Sequence, residues 1–365
     1  MNTSLPPGPP PRPATKATVD EMASFHDRID VRSPAEYAAD HLPGAINLPV
    51  LDDAERTLVG TTYARVSAFD ARKMGAALVA RNIARIVEQY VRDKPREWAP
   101  LVYCWRGGQR SRALVHVLGE IGFRAMQLEG GYRAYRRHVV AMLAQWPRQF
   151  GYRVICGLTG SGKSRLIEAI AAEGGQALDL ERLARHRGSL LGDIPGAAQP
   201  TQRAFESALF EAFTGFDASR PIFVESESQR IGRLQVPEAL LDSIRASACV
   251  RLEAAQSLRV AMLEADYGHL ARDGALLRVQ LAPLAKLHGK AVVARWIAIG
   301  ASGSASELAA DLLETHYDPS YERAMRRNFP RYRDATLLRV DDITRTAFRA
   351  LARGLLDRSP SSRAA

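Results

Sequence analysis

Short apolar runs alternate with longer stretches of helical spacing along most of this chain. Ile29-Asp30-Val31, Leu101-Val102-Tyr103 and Ala125 to Leu128 predict strands, as do Arg153 to Cys156, Pro221 to Glu225 and Cys249 to Leu252. Between them, segments near 70–92, 110–121, 132–143 and 165–172 carry the three-to-four-residue period of amphipathic helices. From about Ala255 to Leu356 the chain reads as mostly helical, either as a separate subdomain or as helices that complete a second sheet. Strand and helix in alternation predict an α/β protein with largely parallel sheets, flanking helices and a helical C-terminal part.

Punctuation places the boundaries. The proline of Gln145-Trp146-Pro147-Arg148 ends a helix, so residues 141–151 form a junction between a first domain at 15–140 and a second at 152–356. The proline-rich stretch 1–14 and the small, polar stretch 357–365 are expected to be disordered tails. No internal repeat is evident.

Composition narrows the class. With 46% hydrophobic and 25% charged residues, the 365-residue chain is long enough for two or three compact units. It has no apolar run of the roughly 18 residues that span a bilayer and no secretory leader, so a cytoplasmic protein without a membrane partner is expected. Cys104, Cys156 and Cys249 are isolated in sequence, without disulfide-framework or zinc spacing. The net charge of +10 suits an anionic partner such as RNA. Only six of the 50 basic residues are lysine, however, an arginine bias that a GC-rich coding genome also explains.

Two segments carry chemistry. In Cys104-Trp105-Arg106-Gly107-Gly108-Gln109-Arg110-Ser111, a cysteine ends an apolar strand just before a helix begins. Backbone N–H groups curling round the sulfur, a helix dipole and two arginines make an anion cradle that favours a nucleophilic thiolate. Gly107 and Gly108 permit the curl, Gln109 and Ser111 complete the loop, and Arg106 and Arg110 supply charge. A lone cysteine is more often a small core residue, but Gly-Gly and two arginines suit a core poorly.

The second segment, Gly157-Leu158-Thr159-Gly160-Ser161-Gly162-Lys163-Ser164, satisfies the Walker A pattern between a strand and a helix. Amides of Gly157, Gly160, Ser161 and Gly162 would cradle a polyphosphate, Lys163 would add a point charge, and Ser164 could hold Mg²⁺. Such a loop specifies phosphate, not a nucleotide. Glu225, in Ile222-Phe223-Val224-Glu225-Ser226-Glu227, stands where a Walker B acid would and is a further candidate Mg²⁺ contact.

The cysteine loop resembles the active-site loop of the rhodanese superfamily. Asp30-Val31-Arg32-Ser33-Pro34-Ala35-Glu36-Tyr37, His41-Leu42-Pro43-Gly44-Ala45-Ile46-Asn47-Leu48-Pro49 and Gly130-Gly131-Tyr132 resemble further motifs of that superfamily in the same order, implying a rhodanese-like N-terminal domain. Arg110 lies six residues after Cys104, one more than in single-domain sulfurtransferases. That wider loop resembles rhodanese-fold phosphatases and suits a tetrahedral phosphate, whether a phosphorylated donor or a phosphoester.

A rhodanese-like domain joined to a P-loop resembles the tRNA 2-selenouridine synthase family. Asp179-Leu180-Glu181-Arg182-Leu183-Ala184-Arg185-His186-Arg187-Gly188-Ser189, Val224 to Gly232, and Tyr317-Asp318-Pro319-Ser320-Tyr321 carry this resemblance. Ser226 departs from it, standing where an acidic residue is expected.

The resemblance implies replacement of sulfur by selenium at C2 of the wobble uridine of tRNA. Selenophosphate would be the donor, and an S-geranyl intermediate would be made from geranyl diphosphate. Cys104 would carry selenium as Cys–S–Se⁻, Arg106 and Arg110 would neutralise the leaving phosphate, and the P-loop would hold the diphosphate. No tightly bound cofactor is expected beyond these co-substrates and Mg²⁺; a selenophosphate-producing enzyme is an expected partner.

Candidate tRNA contacts are Arg182, Arg185, His186, Arg187, Arg230 and Arg233, with Arg133, Arg136 and Arg137 after the Gly-Gly turn. Two other readings compete. A rhodanese-type phosphatase or sulfurtransferase fused to a P-loop small-molecule kinase explains both loops but not the Asp179 to Ser189 stretch. A non-catalytic tRNA-binding module would be expected to have lost Cys104.

Overall fold

A computed structural model describes residues 16–358 apart from 190 and 273. The expected tails lie outside the described residues, save for Asp357, which ends the last helix, and Arg358. The chain divides into two compact units, Met1–Ala141 and Met142–Ala365. Each is built on its own five-stranded parallel sheet.

The first sheet comprises β1 (Lys16–Ala17), β2 (Arg28–Asp30), β3 (Ala45–Asn47), β4 (Leu101–Tyr103) and β5 (Met126–Leu128), in the order β1-β5-β4-β2-β3. Central β4 is fully buried, which explains its unbroken apolar run. Ile29, Val102, Leu114 and Leu118 build the core between sheet and helices.

β1 and β3 escaped the sequence pattern, being two- and three-residue strands with too few positions to show a period. The single helix expected near 70–92 is the second of two. Helix Asp53–Arg65 precedes it, opened by a capping box in which Asp52 and Glu55 exchange side-chain-to-backbone hydrogen bonds of 2.7 and 3.1 Å. Helix Ala68–Ile86, capped by Ser67, follows and continues as a wider turn over Val87–Val91.

The second unit contains β6 (Tyr152–Gly157), β7 (Gln176–Leu178), β8 (Ile222–Glu225), the antiparallel pair β9 (Arg230–Ile231) and β10 (Leu234–Gln235), then β11 (Ala248–Ala254) and β12 (Thr336–Val340). The main sheet runs β12-β11-β6-β8-β7, so β6 lies at its centre. Helix Lys163–Ala172 lays Leu166, Ile167 and Ile170 on this sheet beside Phe348 and Ala352 of helix Arg345–Asp357.

The C-terminal hundred residues are mostly helical, as expected, but they also carry one strand: β12 lies parallel to β11, and helix Arg345–Asp357 completes the layer. β12 is an edge strand with most of its residues outside the core, so its sequence lacks the continuous apolar run of the inner strands. The stretch between β11 and β12 does contain a helical cluster, centred on fully buried Trp296 with Leu281, Leu284 and Leu312. No helix among the described residues is long and apolar enough to cross a membrane.

Candidate functional site

Parallel sheets present their loops, and hence their chemistry, beyond the carboxyl ends of the strands. At the end of β4 the Cys104 sulfur is buried and accepts hydrogen bonds from the Gly108 amide and the Ser111 hydroxyl, each at 3.2 Å. Gln127 on β5 holds the loop from behind, donating to Gly108 O at 2.9 Å and Ser111 Oγ at 2.8 Å. The Tyr132 and Arg133 amides, opening helix Gly131–Gln145, bind Cys104 O and Trp105 O at 2.9 and 3.1 Å. Gly131 has φ +58°, and a Cβ there would stand 2.3 Å from Cys104 O, so glycine is required for this approach.

The motif at Asp30 to Tyr37 has a structural task. The fully buried Asp30 carboxylate pairs with Arg32 at 2.6 Å, and Arg32 also donates to Asp40 O at 2.7 Å and lies 4.0 Å over the Tyr132 ring. Tyr132 in turn donates to Asp40 at 2.8 Å. This network ties the ends of β2 and β4 to the helix that cradles the cysteine loop.

Arg110 is less free than the sequence reading supposed. Its guanidinium pairs with Glu36 at 2.7 Å, so its charge is already compensated in this state. Burial alone would raise the Glu36 carboxyl, but Arg110, the Ser33 amide and Arg56 together hold it below its usual range. Arg106 is exposed.

In the second unit the P-loop leaves the end of β6. Gly160 and Gly162 adopt φ of +78° and +86°, the left-handed backbone that the loop needs. Lys163 Nζ donates to Gly157 O at 2.8 Å, and Ser164 donates to Glu181 at 3.0 Å.

The Tyr317 to Tyr321 motif braces this loop. Tyr321 OH accepts the Gly157 amide at 2.7 Å and shares a 2.9 Å hydrogen bond with Ser226. Arg259, paired with Asp318 at 2.9 Å, donates to Thr159 O at 2.9 Å. Sequence alone does not mark Arg259 or Glu181 as site residues; the signals it offers are the motif in which Glu181 lies and the one that contains Asp318, the partner of Arg259.

Sheet order gathers carboxylates beside the loop. β8 neighbours β6 and β7 neighbours β8, so Glu225, Glu227, Asp179 and Glu181 converge at one edge of the P-loop. Glu225 is fully buried. Burial, together with Glu181, Glu227 and Asp179 nearby, pushes its carboxyl well up. Burial and Glu181 push Glu227 up to about 8.

A cavity of about 670 Å³ opens over Lys163, Ser164, Asp179, Glu181 and Glu227. It shares Thr159, Ser189, Leu263, Tyr267 and Tyr317 with an apolar cleft lined further by Leu277, Leu308 and Leu312.

The proposed tRNA contacts separate. Arg182, Arg185, Arg230 and Arg233 are exposed, as are Arg133 and Arg137, while Arg136 is half-buried and lies 3.9 Å from Asp40. His186 does not belong with them: it is buried against Gly192 and lies 3.5 Å from Asp193. Arg187 is turned inward, bonded to Asp266 O and stacked 4.9 Å over Tyr267. Sequence shows charge but not direction, and Arg185 at φ +49° breaks the short helix, so its neighbours leave the helical face.

A thiol loop on one parallel sheet and a P-loop on a second define a rhodanese and P-loop fusion. Family models agree: the rhodanese-like domain matches residues 15–138 and the tRNA 2-selenouridine synthase AAA domain matches 151–280. A protein of Marinobacter nauticus named tRNA 2-selenouridine synthase is 34% identical over 272 residues, 72% of this chain and 73% of that one. Proteins of the same name from Nitrosomonas europaea and Cupriavidus necator are 35% and 38% identical over 66% of this chain. The matches cover 63% and 65% of those two relatives, just under two thirds of their length. The chain belongs to the tRNA 2-selenouridine synthase family.

Proposed function

We propose that this protein replaces sulfur by selenium at C2 of wobble 2-thiouridine in tRNA, through an S-geranyl intermediate. The observation that carries the reading is the pairing, in the second unit, of a phosphate loop with an apolar cleft along shared walls. A prenyl diphosphate needs both an anion cradle and an apolar groove, and the two adjoin here. In the first step the uridine sulfur attacks C1 of geranyl diphosphate, a C–S bond forms, the C–O bond breaks, and diphosphate departs onto the P-loop.

Selenium delivery must balance electrons. Attack of the Cys104 thiolate on the selenium of selenophosphate, giving Cys–S–Se⁻, would expel phosphorus with the bonding pair and yield phosphite. Attack on phosphorus instead breaks the P–Se bond with the pair leaving on selenium as selenide. Water then releases phosphate from S-phosphocysteine and regenerates the thiol. The phosphatase-like width of the loop favours this route, with the Gly108 amide and the Ser111 hydroxyl aimed at the sulfur. Selenide attacks C2 of the S-geranyl uridine and expels geranyl thiol.

An enzyme that makes selenophosphate must supply the donor. The rival fusion of a phosphatase or sulfurtransferase to a small-molecule kinase leaves the 151–280 family match without a purpose.

Mass spectrometry of wobble nucleosides from cells with and without the protein tests the reading. Loss of 2-selenouridine in the deletion supports it, and unchanged nucleosides overturn it.

A further inference from the structure

We propose that Glu181, Glu225 and Glu227, with Ser164, form a site for one hard divalent cation that the protein largely completes before any phosphate binds. One carboxylate oxygen from each glutamate lies within 4.8 Å of the others. The three acids come from two places in the fold. Glu181 stands in the first turn of helix Leu180–Ala184 after β7, Glu225 ends β8, and Glu227 lies two residues further on.

Convergence of acids is not by itself a site, and Glu225 provides the second observation. Its side chain is fully buried, and neither carboxylate oxygen has a hydrogen-bond partner among the described residues. A buried carboxylate left without a partner costs several kcal/mol unless it is protonated or coordinates a cation. An acid selected only for packing would be replaced by an amide or an apolar residue at no loss. Three acids around one point, one of them buried without a partner, with Lys163 as the nearby cation of the loop, fit ligation.

The surroundings leave room at that point. A Cβ at Gly188 would come within 2.5 Å of Glu181 Oε1 and 2.9 Å of Glu227 Oε1, so its lack of a side chain keeps the two carboxylates exposed to the cavity. Ser164 Oγ already lies 3.0 Å from Glu181. Oxygen donors alone, three of them anionic, select Mg²⁺ or Mn²⁺ over softer metals.

The arrangement differs from a P-loop site in which the phosphates supply much of the metal's coordination, because here the protein contributes three carboxylates. It also explains Glu227, which the Walker pattern does not demand. The inference holds whether the loop takes a prenyl diphosphate or another polyphosphate.

The test is Mn²⁺ binding to the full chain, followed by electron paramagnetic resonance with no tRNA and no diphosphate present. One Mn²⁺ per chain is expected, displaced by excess Mg²⁺. Glu225→Gln and Glu227→Gln should each weaken it by about tenfold or more, with circular dichroism unchanged. Glu227 is only partly buried, so its variant remains informative if Glu225→Gln fails to fold. Absence of stoichiometric binding to folded wild-type protein, or equal binding by a folded variant, overturns the proposal. Geranylation is not read in this assay, so failure of the geranyl reading and failure of the metal site are separate outcomes.

Discussion

The Tyr321 hydroxyl accepts the amide hydrogen of Gly157 at 2.7 Å, joining the start of the phosphate loop to a helix 164 residues further along the chain. The same oxygen reaches Ser226 at the end of β8. One phenol thus sets the spacing between the P-loop and the strand that carries Glu225. Tyr321→Phe should lower stability by about 1 kcal/mol, the net worth of a buried hydrogen bond, and weaken diphosphate binding. Thermal denaturation and diphosphate titration measure the two effects.

Lys163 lies folded against Gly157 O and is the charge that a diphosphate would recruit. Lys163→Ala should abolish geranylation of 2-thiouridine tRNA, followed by nucleoside mass spectrometry. Normal geranylation by the folded variant would remove the diphosphate from this loop.

Cys104→Ser should retain geranylation and lose selenation, so that S-geranyl-2-thiouridine accumulates. Serine keeps the volume and the contacts of the loop but has no thiolate near neutral pH. Full 2-selenouridine formation by the variant would exclude Cys104 from the chemistry.

Glu36 links acid stability to the thiol loop through Arg110. Its folded carboxyl lies below the ordinary range, so its contribution to stability is complete above the unfolded value of about 4.3 and is lost as pH falls through the folded value. Glu36→Gln should remove about 1 kcal/mol at neutral pH and flatten the acid limb of stability against pH in urea denaturation. An unchanged acid limb would contradict the assignment.

Arg182, Arg185, Arg230 and Arg233 are the exposed members of the basic set in the second unit. If they meet tRNA phosphates, log affinity should fall against log salt with a slope of about −3. Arg230→Ala together with Arg233→Ala should make that slope shallower. His186, being buried, should contribute nothing to it.

Local features of the sequence were enough to read the two parallel sheets, the strand before each loop, and both loops as candidate anion sites. These depend on contiguous residues: a fully buried strand reads as an apolar run, and a glycine-rich turn before a helix reads as a phosphate cradle whatever surrounds it. What lay beyond the sequence were relationships set by strand order and by side-chain direction.

Glu36 sits in the motif from Asp30 to Tyr37, yet its grip on Arg110 spans 74 residues, and Glu225 meets Glu181 only because β8 lies between β6 and β7. The edge strand β12 escaped notice because half-covered positions lack a strong apolar signal. By charge alone His186 and Arg187 belong to a basic surface, but a left-handed turn at Arg185 takes them away from it. Charge and period are properties of the chain, whereas burial and partnership arise only when the sheet brings distant segments together.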